Sequence, residues 1–161
     1  MKREPTIRIS AFPVPWLDKN RHPYSFVHVS KTAWSTGRRI KPGDIQIFAV
    51  SATLGDATRF ENDPRRDSVH SIWEATSSIR PELGNPEFPI QAEFRLRVKL
   101  KVPVSKAILH REGILSVYAW PRNSSGKLLH DREQVLRLAE ILSKYNSNQR
   151  TAIFKALNVE E

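Results

Sequence analysis

The sequence predicts an α+β fold, a mixed or antiparallel sheet of five to six strands with flanking helices and a helix pair at the C-terminal end. Three observations carry that reading. In residues 88–104 (FPIQAEFRLRVKLKVPV), Phe94, Leu96, Val98, Leu100 and Val102 alternate with Arg95, Arg97, Lys99 and Lys101, the two-residue period of one long strand. Shorter β-branched and aromatic runs, punctuated by Pro and Gly, precede it. From Asp131 the period lengthens to that of a helix, with Val135, Leu138, Ala139, Leu142 and Tyr145 on one stripe.

Residues 6–12 (TIRISAF) alternate Ile7 and Ile9 with Arg8 and Ser10, a short strand that Pro13 and Pro15 stop. Residues 24–30 (YSFVHVS) read as a strand buried on both faces that delivers the chain to Ser30, Lys31 and Trp34. Ser35-Thr36-Gly37-Arg38-Arg39 and Pro42-Gly43-Asp44 are turns by residue type, and residues 45–51 (IQIFAVS) form a second buried strand. Residues 55–66 hold Gly, Asp, Asn and Pro without periodicity and read as an exposed loop. From Asp67 the chain is extended again, Val69, Ser71 and Trp73 alternating with His70, Ile72 and Glu74. A proline-stiffened loop, residues 80–89, leads into the long strand, whose apolar row faces the core and whose four cations form an outer row. That row suits a polyanion lying across it, and equally a sheet edge kept soluble by charge. Residues 113–120 (GILSVYAW) are β-rich, and residues 122–127 are a polar turn. Asp131 caps the first helix, Asn146 stops it, and Ser147 caps a short last helix bearing Ile153, Phe154 and Leu157.

A length of 161 residues fits one domain spanning 1–161. Lys and Arg outnumber Asp and Glu by 26 to 17, a net charge of +9 that favours nucleic acid as partner. The absence of cysteine excludes disulfides, thiolate zinc sites and cysteine nucleophiles. There is no apolar run of membrane-spanning length, and MKREPTIR is not followed by an apolar signal core, so the expectation is a soluble cytoplasmic protein with no membrane partner.

The order Phe88, basic strand, Val102-Pro103, Leu109-His110, a turn with Gly126-Lys127 and then REQVLRLAEILSKYNSNQRTAIF resembles the YTH domain family, readers of RNA adenines methylated on the exocyclic amine. PGDIQIFAVS is similar to a strand shared by YTH domains and the related EVE domains. The resemblance implies a PUA-like, β-barrel-like sheet and a base held in an aromatic pocket. In the YTH pattern a second cage tryptophan lies about ten residues before the Phe88 position, where residues 79–84 hold no aromatic, so either the second wall comes from elsewhere, with Trp73 the candidate, or the pocket is not YTH-like.

A base is inspected in detail only after leaving the stack, and aromatic walls return that cost at about 1–3 kcal/mol per base. Trp34 is the leading wall, with Ser30, Ser35 and Lys31 beside it; Trp73, mid-strand, fits core packing better than a wall, and Trp120 with Tyr118 fits a pocket rim and plain packing equally. Backbone-phosphate candidates are Lys31, Arg38, Arg39, Arg95, Arg97, Lys99, Arg122 and Lys127. The favoured function is a non-catalytic reader of a methylated base in DNA or RNA, of a kind that suits fusion to or partnership with an effector such as a modification-dependent restriction enzyme. It requires no cofactor and no metal. The alternatives are a PUA-like RNA-binding module without base flipping and a metal-dependent nuclease built on Asp56, Glu61, Asp63 and Asp67. A zinc deaminase is excluded, since its ligand set needs cysteine.

Overall fold

A computed structural model of the chain describes residues 3–13, 31–35, 39–51, 67–78, 91–114 and 127–161. Among these residues six strands, β1 (Ile7–Pro13), β2 (Lys31–Ser35), β3 (Ile45–Ser51), β4 (Ser68–Ala75), β5 (Gln91–Ser105) and the two-residue β6 (Lys127–Leu128), lie in one sheet in the order β2-β5-β4-β3-β1-β6. β1 and β3 run parallel and the other pairings are antiparallel, so the sheet is mixed. Among the described residues β2 and β6 are its two edges, and the expected barrel-like closure is absent. Among the described residues three helices follow or interrupt the strands: α1 (Lys106–Arg111), α2 (Arg132–Tyr145) and, after a 3-10 turn at Ser147–Gln149, α3 (Arg150–Ala156). No helix among the described residues is long and apolar enough to cross a membrane.

The core follows from the alternation in the short strands. Ile7 and Ile9 on β1, Ile45, Ile47 and Ala49 on β3, and Val69 and Ile72 on β4 line one sheet face, where they meet Val135, Leu138, Leu142, Ile153 and Phe154 of the helices. Each fully buried Ile or Leu contributes about 1.5–3 kcal/mol relative to exposure, which holds the helix layer on this face. Asp131 caps α2, its carboxylate accepting from the Glu133 amide at 2.9 Å. Ser147 does not cap the last helix as its residue type leads one to expect; it opens the 3-10 turn, and α3 starts without a side-chain cap.

The long strand departs from its sequence pattern. Ile72 pairs with Val98 but Trp73 pairs with Leu96, so Arg97 is an extra residue in β5. One inserted residue exchanges the two faces of everything beyond it. Val98 and Leu100 accordingly belong to the helix-face core, whereas Phe94 and Leu96 share the other face with Trp73. Val102 is not in the core at all and stands 47% exposed. The apolar row of FRLRVKLKV is therefore divided between two faces, and the cationic row with it.

Trp34 lies on β2, Lys31–Ser35, and the strand expected at residues 24–30 lies outside the described residues, as do the loop at 55–66 and most of the β-rich run at 113–120. Lys127, read as the end of a turn, instead opens β6 against Ile9. The helix α1 was not anticipated: the Ser105 hydroxyl accepts from the Ile108 amide at 3.2 Å, and the Gly113 and Ile114 amides close its end on the His110 and Leu109 carbonyls.

Candidate nucleic-acid interface

The face of the sheet turned away from the helices has its own composition. The register sets Ser10, Gln46, Phe48, Ser71, Trp73, Ala75 and Phe94 on it, with His70 in a bulge of β4. Phe48, Trp73 and Phe94 are fully buried yet belong to no part of the helix-face core. Between the rings lie buried polar groups. The Trp73 indole N–H donates to the Ser71 hydroxyl at 2.8 Å, which also lies 3.0 Å from His70 Nδ1, and the His70 ring stands edge-on to Phe48 with centroids 5.6 Å apart. Across the sheet the Gln46 carboxamide hydrogen-bonds the Ser10 hydroxyl through one end. Its other end has no partner among the described residues, although Gln46 is fully buried. A buried, half-satisfied amide is costly, commonly about 1–3 kcal/mol, and so calls for a role.

Trp34 stands on edge strand β2 opposite Ala92, a register position of this same aromatic face, while Lys31 and Ser35 pair with Arg95 and Gln91 at positions of the opposite face. Trp73 is wholly buried in mid-sheet, two strands from Trp34, with β5 between them. Ser30, Arg38, Tyr118, Trp120 and Arg122 fall outside the described residues. Arg39 is exposed ahead of the turn into β3. Lys127 lies on the far edge strand, five strand spacings or about 24 Å from β2, so it belongs to a different part of the surface.

The four cations of β5 divide in the same way as the apolar row. Arg95 and Arg97 both pair with Glu74, at 2.7 and 2.6 Å. Burial on its own raises the Glu74 pKa, but the hydrogen bonds and charges of the two guanidiniums more than offset this and hold the carboxyl below its ordinary value. A groove of about 660 Å³ beside this triad is lined by Arg3, Arg97 and Lys155 and also by Glu4 and Glu74, so its lining carries both signs of charge. Lys99, opposite Ser71, and Lys101 are instead exposed on the other part of the strand. Of the carboxylates proposed for a nuclease, Asp67 precedes β4, and Asp56, Glu61 and Asp63 lie outside the described residues. Among the described residues no three His, Asp or Glu side chains gather as a metal site.

Sequence reading missed Gln46, Ser10, Ser71 and Phe48 as one face. The available signal was Gln46 itself, an amide in the otherwise apolar run IQIFAVS.

Comparison with known protein families and with curated proteins returns no match. Among solved structures, the chain is similar to Rpa0253 from Rhodopseudomonas palustris, determined by NMR, with a TM-score of 0.52 and 13% identity over 88% of this chain and 93% of that one. At that identity the likeness concerns the fold alone, and it extends over nearly the whole length of both proteins.

Proposed function

We propose that this chain is a PUA-like, YTH/EVE-type nucleic-acid-binding module that recognises a methylated base by flipping it into an aromatic pocket on the sheet face opposite the helices. Adenine methylated on its exocyclic amine, in DNA or RNA, is the favoured ligand. Such a module suits the targeting arm of a modification-dependent restriction system. The observation that supports this reading is the pairing of aromatic rings with an unsatisfied amide on one face: Phe48, Trp73 and Phe94 beside Gln46, with Trp34 at an edge register position of the same face.

The energetics set what the pocket must do. Unstacking a base costs a few kcal/mol, and aromatic stacking returns about 1–3 kcal/mol per base. Burying one methyl group adds only about 0.8 kcal/mol, so selectivity beyond a few-fold depends on a polar contact to the base edge. The unpaired end of Gln46 is a group of that kind.

The test is a titration at fixed salt against matched DNA and RNA oligonucleotides, unmodified, adenine-methylated or cytosine-methylated, with wild type and Trp34→Ala in parallel. A preference for one methylated ligand that Trp34→Ala abolishes supports the reader and names its base. Equal binding to all of them, strongly salt-dependent and indifferent to Trp34→Ala, supports the second reading, a PUA-like RNA-binding module without base flipping. One observation favours that alternative: Trp73 is wholly buried and its N–H is spent on Ser71, as in a filled core.

A further inference from the structure

We propose that the phosphate backbone of a bound nucleic acid runs along Lys101 and Arg150, beside Lys99, and not along Arg95 and Arg97, which Glu74 holds as an internal counterion. The inference rests on the reading of the chain as a nucleic-acid-binding module but is independent of base recognition.

The linear sequence presents Arg95, Arg97, Lys99 and Lys101 as one row. The structure divides it at the Arg97 bulge. Upstream of the division, both guanidiniums close on a single carboxylate at 2.7 and 2.6 Å. A phosphate arriving there must displace Glu74 from bonds already made, or accept its negative charge as a near neighbour. Either way few counterions are released, and counterion release is what drives backbone binding. Downstream of the division the situation is reversed. Lys101 is exposed and forms no ion pair among the described residues.

Arg150 joins this segment through a device that sequence distance conceals. The Gln149 side chain donates to the Lys99 carbonyl at 2.7 Å and accepts from the Lys101 amide at 3.0 Å, filling main-chain positions of β5 as a neighbouring strand would. Asn146 does the same one residue on, accepting from the Val102 amide at 2.8 Å and donating to its carbonyl at 3.0 Å. These bonds fix the start of α3 against the strand, and Arg150 follows Gln149 directly. The Arg150 guanidinium lies 4.4 Å from the centroid of the Phe154 ring. A guanidinium resting on a ring can keep its in-plane N–H groups for a phosphate oxygen. The main-chain segments that carry Lys101 and Arg150 are thus tied together through Gln149 before any ligand arrives, which lowers the ordering cost of binding.

The experiment is a salt series on an unmodified single-stranded oligonucleotide, followed by fluorescence anisotropy. It uses the full chain as wild type, the Lys101→Gln, Arg150→Gln pair, the Arg95→Gln, Arg97→Gln pair, and Glu74→Gln. At about 0.7 per phosphate contact for a single strand, the first pair is expected to flatten the dependence of log K on log salt by about 1.4. The second pair leaves the slope within half a contact of wild type, and Glu74→Gln steepens it by freeing the two arginines. Lys101→Gln alone, which keeps both Gln149 bonds and the Arg150–Phe154 stack, flattens it by about 0.7 and reports even if the double variant does not fold. A slope unchanged by Lys101→Gln, or lost equally in the Arg95 and Arg97 pair, overturns the proposal. Loss of slope with no preference for any methylated ligand leaves this inference standing and removes base reading; the converse pattern does the opposite.

Discussion

Two buried amides illustrate how differently the same side-chain chemistry is used. Asn146 is nearly saturated: it accepts from the Val102 amide and donates to the carbonyls of Val102 and Leu142, each at 3.0 Å. Truncation strands a strand amide and a carbonyl, so Asn146→Ala is expected to cost about 2–3 kcal/mol, read as a lowered urea midpoint at constant m-value. Gln46 is the opposite case, with one end on Ser10 and the other unpaired among the described residues. Replacing a half-satisfied buried amide by an apolar group of similar shape removes its desolvation penalty together with its one bond. Gln46→Met is therefore expected to change stability by less than about 1 kcal/mol while reducing discrimination between methylated and unmethylated ligands about tenfold or more. A large loss of stability with discrimination intact would show Gln46 to be structural. Both residues were visible in the sequence, but only Asn146 was assigned a role, as a helix stop. Its bonding to β5 was not legible, because a side chain that reaches another element leaves no local pattern.

At the scale of elements, the short strands and α2 were legible because each is governed by one local period and one flanking residue: IQIFAVS gives β3 from Ile45 to Ser51, and Asp131 marks the start of α2. β5 was legible as a strand but not as a surface. Its alternation is unbroken in sequence, and only the pairing of Trp73 with Leu96 beside that of Ile72 with Val98 reveals that its faces exchange. A bulge belongs to the pair of strands, so neither sequence alone encodes it. The helix α1 was missed for a different reason. Six residues are too few to show a period, though both of its boundaries were written out as Ser105 and Gly113. Gly113 has φ +70, and a Cβ there meets nothing closer than an Arg137 nitrogen at 3.9 Å. The cost of Gly113→Ala is then conformational, about 1 kcal/mol, without a steric addition. Hydrogen exchange is expected to show faster exchange at the Gly113 and Ile114 amides, which close the helix, with α2 unaffected.

At the scale of the whole molecule, one buried carboxylate ties together segments distant in the chain. Asp44 is 1% exposed. Its Oδ1 accepts from the Thr6 amide at 3.0 Å and from Arg3 at 2.8 Å, and its Oδ2 accepts from the Lys41 amide at 2.9 Å. Through its main chain Asp44 also receives the Ala75 amide at 2.8 Å, so the entries to β1 and β3 and the end of β4 meet at this residue. Burial raises the pKa of such a group. Here the Thr6 and Lys41 amides, together with Arg3, more than offset burial and hold the carboxyl below its ordinary value of 3.8. A carboxyl with a folded-state pKa below its unfolded one binds fewer protons when folded. Its contribution is therefore complete above the ordinary value and is lost as pH falls through the lowered one. Glu74, also held below its ordinary value, acts with the same sign. An Asn at position 44 offers one acceptor oxygen and sets an amide N–H₂ against a main-chain donor. Asp44→Asn is accordingly expected to lower stability by about 2–3 kcal/mol at neutral pH. The difference from wild type should shrink steadily in urea titrations taken down to about pH 2, as wild-type Asp44 itself becomes protonated. A gap that stays constant with pH would assign the loss to packing instead of charge.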